Sequence, residues 1–267
     1  MLKDITLGQF FPGSSPVHRL DPRAKLLILI VLIVALFSAK GPWANAACLV
    51  GICGSVALSR IKPKLILKAL KPVIVLVCFT AVLNMLYTPG ETLYSFWIFN
   101  ITKEGVYQGI YMTLRILLLI TLTSLLTYTT SPIALTDAIE RLLGPLKKIK
   151  VPVHEFAMMM TIALRFIPTL IEETDKIMSA QKSRGADFDS GNLIRRAKAL
   201  IPILVPLFIS AFRRADELAV AMECRLYRGG EGRTRLHVLH YGKLDAAAGL
   251  LSCAFCAGVI VLSRLFV

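Results

Sequence analysis

The chain has 267 residues, 55% of them hydrophobic, with a mean hydropathy of +0.66 and a formal charge of +14. That apolar share exceeds the roughly 45–50% of soluble domains and points to a membrane-embedded protein. The basic residues flank apolar runs (Lys3, Arg19, Arg23 and Lys25, then Arg60, Lys62, Lys64, Lys68 and Lys71, then 141–243); this is positive-inside bias, and with no aromatic-plus-basic pattern or fingerprint it argues against nucleic-acid binding.

The first apolar run, Leu26–Phe37, is short against the ~20 residues of a full span. Ala44-Asn45-Ala46 has the small residues of a signal-peptide site. It lies well past that run, however, and a second run, Ala46–Leu58, starts at once. A retained hairpin turning at Lys40-Gly41-Pro42 is the expectation. The third run, Leu70–Tyr87, follows Lys71-Pro72. Pro89-Gly90 then opens a loop to Thr102 whose single charge is Glu91, and Phe96-Trp97-Ile98-Phe99 within it fits an interfacial aromatic anchor. The fourth run, Gly105–Tyr128, contains a lone Arg115. An intramembrane arginine is costly and marks a functional position unless it snorkels.

A polar block follows, and Ala246–Phe266 closes the chain with a fifth run. The charge bias places the N-terminus and the 60–71 loop in the cytoplasm, the 88–102 loop outside, and the block inside again. Within the block, Ser131-Pro132 opens a helix with Leu135, Ile139, Leu142 and Leu143 as its stripe, broken at Gly144-Pro145. A second helix starts near Val153, with Phe156, Met160, Ala163, Ile167, Leu170, Thr174 and Ile177 on one face. Glu172 and Glu173 read as its solvated face, and Pro168 as a possible kink. A third runs from about Asn192 to Cys224 through an apolar centre, Ala199–Ala211, that contains Pro202 and Pro206. Flanked by charge, that centre is expected at the interface or against the spans; a sixth crossing there would move the C-terminus inside.

Catalytic signatures are missing. There is no GxxxxGK[ST], HExxH or GxSxG, so nucleotide hydrolysis, metalloprotease and serine-hydrolase chemistry are not expected. Glu172-Glu173 lacks the arginine one turn later, and the membrane histidines, that an intramembrane protease would require. Five of the six cysteines fall in apolar runs, and Cys253-Ala-Phe-Cys256 lacks a redox context. His237 and His240 have no further ligand beside them. No cofactor and no metal are expected.

Two tripeptides carry the remaining signal: Ser183-Arg184-Gly185 and Cys224-Arg225-Leu226, each at the end of a predicted helix. Glycine and a cation suit a helix C-terminus, which explains the first as a plain stop. The second is less well explained that way, since its glycines arrive only at Gly229-Gly230. A guanidinium can instead hold a carboxylate bidentately in a partner's groove. The chemistry alone leaves capping and docking side by side.

The segments PGSSPVHRLDPRAKLL, LTDAIERLLGPLKKIKVPVHEFAMMMTIALRFIPTLIEETDKIMSAQKSRGADFD and AMECRLYRGGEGRTR closely resemble the T component of energy-coupling factor (ECF) transporters. The likeness covers nearly the whole chain. It implies a prokaryotic membrane scaffold joining two cytoplasmic ATP-binding-cassette ATPases to a small substrate-binding membrane subunit for vitamin or metal-ion uptake. It also implies that Ser183, Arg184 and Gly185, and Cys224, Arg225 and Leu226, dock in grooves of the two ATPases. Leu226 departs from the family's glycine, and Tyr227-Arg228-Gly229 is a shifted alternative for the second motif. The expected architecture is an all-α, multi-pass protein. It has four membrane helices in 1–130, a cytoplasmic coupling module in 131–243 and a fifth membrane helix in 244–267. A shared module serving several substrate subunits is set against a dedicated biotin, cobalt or nickel transporter. The rivals from other classes are an intramembrane enzyme and a scaffold unrelated to transport.

Overall fold

A computed structural model describes residues 10–96, 99–188, 192–230 and 238–265. Ten α-helices are found among them: α1 (Pro16–Arg19), α2 (Pro22–Ser38), α3 (Gly41–Ser59), α4 (Pro63–Leu70), α5 (Ile74–Tyr87), α6 (Lys103–Thr129), α7 (Pro132–Leu142), α8 (Val153–Ser183), α9 (Leu193–Cys224) and α10 (Lys243–Leu265). Lys71–Val73 and Gly144–Ile149 are short 3₁₀ turns. Residues 10–138 with 238–265 form one compact unit, and 139–230 form a second.

Proline at the first turn starts much of the first unit. Ser15 Oγ accepts the His18 amide to cap α1, and Asp21 Oδ1 accepts the Arg23 amide at 2.8 Å to cap α2. A missing proline N–H is no loss at that position. The hairpin expected at Lys40-Gly41-Pro42 is present, with Gly41 at φ +80°. The expected 60–71 loop is instead largely α4, and Lys71-Pro72 makes the 3₁₀ joint that carries it into α5. Where a plain loop was expected after Tyr87, the backbone forms an antiparallel hairpin, Thr92–Phe96 with Phe99–Thr102. The fold is therefore all-α apart from that hairpin; the aromatic anchor read into 96–99 lies outside the described side chains.

The core of this unit is small: Leu36, Ala39, Ala44, Cys48, Ile52, Leu118, Leu122 and Val259, drawn from α2, α3, α6 and α10. Gly51 lets α10 close in, because a Cβ there would lie 2.5 Å from Phe255 Cζ. Outside the core, residues such as Val75 and Leu250 are about three-quarters exposed (77% and 74%), as expected where lipid is the solvent. The hydroxyls of Thr121, Thr127 and Thr129 turn back onto carbonyls one turn earlier, which keeps α6 free of unpaired hydroxyls on those faces.

Five helical stretches are long and apolar enough to cross a membrane: Gly41–Ser59, Pro63–Tyr87, Lys103–Thr129, Val153–Ser183 and Lys243–Leu265. The number matches the sequence reading, but one member differs. α2, read as the first span, has 17 residues, about 26 Å against a hydrocarbon core of about 30 Å. α8, assigned to the aqueous block, has 31 residues and qualifies. Its apolar residues are concentrated before Glu172, so one helix carries both a membrane-compatible half and a charged half. α9 is not among the five.

Candidate functional site

The two arginine tripeptides close α8 and α9 with the same backbone geometry. At the end of α8 the Arg184 amide donates to Ala180 and Gln181 oxygens. Gly185, at φ +86°, donates to Lys182 O at 3.0 Å, and Ala186 donates to Gln181 O at 3.0 Å. At the end of α9, Leu226, at φ +54°, donates to Glu223 O at 2.9 Å, and Tyr227 donates to Met222 O at 3.0 Å. Both are Schellman endings, in which a left-handed residue turns two amides back onto the last carbonyls. Arg184 and Arg225 therefore occupy equivalent capping positions. Gly185 is suited to its φ because it has no Cβ to clash with its own backbone in the left-handed region. Leu226 holds the same region against its preference and is 75% exposed. Arg228 lies beyond the helix, outside this geometry.

Ser183, Arg184, Cys224 and Arg225 are exposed, and neither guanidinium makes a hydrogen bond or ion pair among the described residues. A strong donor fork at an exposed helix end is available to an outside carboxylate.

Glu173, read from sequence as solvated, is instead a half-buried clamp. Arg214 Nη2 on α9 donates to Glu173 Oε2 on α8 at 2.8 Å. Glu173 lies ten residues before Ser183, and Arg214 ten before Cys224, so each tip stands about 15 Å beyond the clamp. Downstream, Gly230 packs so closely on His154 that a Cβ would sit 2.7 Å from its ring. The five-residue link from Arg225 to Gly230 reaches at most about 18 Å. It cannot span back to His154 unless α9's arm runs toward the start of α8, opposite to α8's own tip. The two tips are then about 30 Å apart. His154 Nδ1 also lies 3.0 Å from Glu140 Oε1 near the end of α7. Sequence reading missed these contacts; the equal spacing of Glu173 and Arg214 from the two motifs was the one available signal.

In the first unit, two of the cations counted in the positive-inside bias, Arg23 and Lys25, are buried. Asp21 pairs with Arg23 at 2.8 Å, and the Arg23 guanidinium stacks 4.0 Å from the Tyr241 ring centre. Asp245, at the start of α10, accepts the Asp21 amide on Oδ1 and the Gly242 amide on Oδ2, both at 2.7 Å. Lys25 Nζ donates to His18 O, Thr129 O and Thr130 Oγ1. The PGSSPVHRLDPRAKLL segment thus ties the starts of α2 and α10 to the end of α6. It is a structural knot, and Arg115 lies apart from it on α6.

With this geometry in hand, likeness to known proteins is informative. The sequence model of the cobalt transport protein family (CbiQ) matches residues 13–236. The chain is 56% identical over 254 residues, covering 95% of both chains, to the Energy-coupling factor transporter transmembrane protein EcfT of Acidaminococcus fermentans. It is 52% identical over 266 residues, all of both chains, to the protein of that name from Ruminiclostridium cellulolyticum. To that of Bacillus subtilis it is 50% identical over 248 residues, 92% of this chain and 94% of the other.

Proposed function

The chain belongs to the family of energy-coupling factor transporter transmembrane proteins, and from that membership we propose that it is the scaffold that couples two cytoplasmic ATP-binding-cassette ATPases to a small substrate-binding membrane subunit. The observation that carries this reading is the duplicated helix ending, with Arg184 and Arg225 at equivalent exposed caps and no side-chain partner among the described residues. Each arginine, with Ser183 and Gly185 or Cys224 and Leu226 beside it, docks in a groove of one ATPase. The shared backbone geometry supports Arg225 over Arg228 as the second anchor. ATP hydrolysis falls to the partners, and this subunit is mechanical.

Orientation follows the charge bias, with the N-terminus cytoplasmic and 131–243 forming the coupling module. The apolar half of α8 meets the bilayer while its charged half extends to the first tip. On α9, Ile201, Leu204, Val205, Phe208, Ile209 and Phe212 are all exposed, which supports a face for the substrate-binding subunit or lipid. Nucleotide-driven movement of the grooves shifts the tips. The Glu173–Arg214 clamp conveys that shift to the apolar faces, with Pro168, Pro202 and Pro206 allowing the helices to bend. Normal transport after replacement of all three prolines would remove the bending step.

The relatives carry an energy-coupling name without a substrate, which supports a shared module for several vitamin-binding subunits in a prokaryotic cell membrane. The cobalt description of the family model is what favours the dedicated alternative. Affinity purification of the tagged chain from native membranes in mild detergent tests the whole reading. Two ATPases with several small membrane proteins are expected, and a single small protein would indicate a dedicated transporter. Arg184→Glu with Arg225→Glu should lose both ATPases while the chain still inserts, because losing a desolvated arginine partner costs about 2–5 kcal/mol. Retention of both ATPases by that double variant would overturn the docking assignment.

A further inference from the structure

A cleft of about 500 Å³ opens between the end of α2, the first turn of α3 and the first turns of α6, lined by Lys40, Asn45, Glu104, Tyr107, Tyr111 and Arg115 among others. Its cations are unmatched. Arg115 donates from Nη2 to Ala39 O at 3.0 Å and stacks 5.8 Å from the Phe37 ring centre. Its Nε is buried with no partner, and no carboxylate pairs with it among the described residues. The Lys40 ammonium is exposed and makes no side-chain bond among them. Glu104 lines the same cleft and keeps its charge while its Oε2 accepts the Glu91 amide at 2.8 Å, but it forms no ion pair with either cation among the described residues, which leaves the cleft at net +1.

Asn45 adds the opposite deficit. It is 3% exposed, and its Nδ2 donates to Gly41 O at 2.8 Å. Flipping the amide would set two oxygens together, so Oδ1 faces away, and it is buried without a donor. The cleft thus combines two cations and one carboxylate with free N–H donors on the cations and one buried acceptor. Buried polar groups ordinarily find partners, and an unpaired cation at membrane depth is costly.

Depth identifies the source of the partner. α6, at 27 residues, is about 40 Å long against a core of about 30 Å, so its first turns stand among headgroups. Arg115 lies twelve residues in, and its side chain leans back toward the helix N-terminus. Short α2 leaves the Lys40 turn at the same edge. Trp43 and Tyr107, each 62% exposed, mark that level as an interfacial aromatic belt.

We propose that this cleft binds the phosphate of an anionic phospholipid. Arg115 and Lys40 donate to the phosphate oxygens, a headgroup hydroxyl serves the Asn45 carbonyl, and the acyl chains run along the exposed Phe37 and Ile110. The chemistry required is a phosphate anion with a nearby donor, which a glycerol headgroup supplies and a choline headgroup lacks.

The test is native mass spectrometry of the full chain in mild detergent, titrated with phosphatidylglycerol, phosphatidylcholine or inorganic phosphate. Phosphatidylglycerol is expected to be retained most tightly. Lys40→Gln and Arg115→Gln should each weaken it by about tenfold or more, as for loss of a charge-assisted hydrogen bond. The exposed Lys40 keeps the test sound if the Arg115 variant folds poorly. Equal retention of phosphatidylglycerol by Lys40→Gln and a folded Arg115→Gln, or no preference over phosphatidylcholine, would overturn the proposal. Displacement of the lipid by inorganic phosphate, with the same dependence on both cations, would assign the cleft to a soluble anion and overturn the lipid.

Discussion

Breaking the Glu173–Arg214 clamp should loosen the separation of the two tips without unfolding either helix. The bond is 2.8 Å long, with side chains 22% and 35% exposed. Charge-assisted bonds contribute about 1.5–3 kcal/mol when buried and under about 1 kcal/mol when exposed, which puts this one near 1 kcal/mol. Its leverage exceeds its energy: with arms of about 15 Å, a 10° rotation at the clamp moves each tip by about 3 Å. Cys224 is exposed and native, so spin labels at Cys224 and at Ser183→Cys, with the other cysteines replaced, report the tip distance by pulsed dipolar spectroscopy. The expected distribution centres near 30 Å, allowing for label length. It should broaden in Glu173→Ala and in Arg214→Ala, and the double variant should add little more, because both remove one interaction. A distribution left narrow by both single changes, or broadened additively by the pair, would refute the clamp.

Leu226→Gly should stabilise the end of α9 by about 0.5–1 kcal/mol, the relief of a left-handed L-residue less the extra entropy of glycine. Slower hydrogen exchange at the Leu226 and Tyr227 amides would register it, and faster exchange would count against the strain. Gly185→Ala should do the reverse at the other tip by about 1 kcal/mol; unchanged exchange at Gly185 and Ala186 would contradict that reading. Asp245→Ala strands the Asp21 and Gly242 amides and should cost about 2–4 kcal/mol, seen as a lowered melting temperature in detergent, with Asp245→Asn intermediate. Equal melting of all three proteins would show that the knot contributes little.

The positions of the helices were largely legible in the sequence because their causes are local. Ser131 stands before a proline at a helix start, the third, fourth and fifth apolar runs approach span length, and Gly185 marks a stop at Arg184. Composition also set apolar runs apart from an amphipathic block, and α8, read as part of that block, is long and apolar enough in its first half to cross a membrane. What lay beyond reach was non-local. Asp21 meets Asp245 across 224 positions, Glu173 meets Arg214 across 41, and Arg115 reaches Ala39 across 76. Hydropathy and helix propensity state which side chains need a partner; packing decides which partner each one finds. Leu226 makes the same point about the backbone. No propensity assigns leucine to a positive φ, yet the two returning amides hold it there, and only the folded helix end reveals that α9 finishes as α8 does.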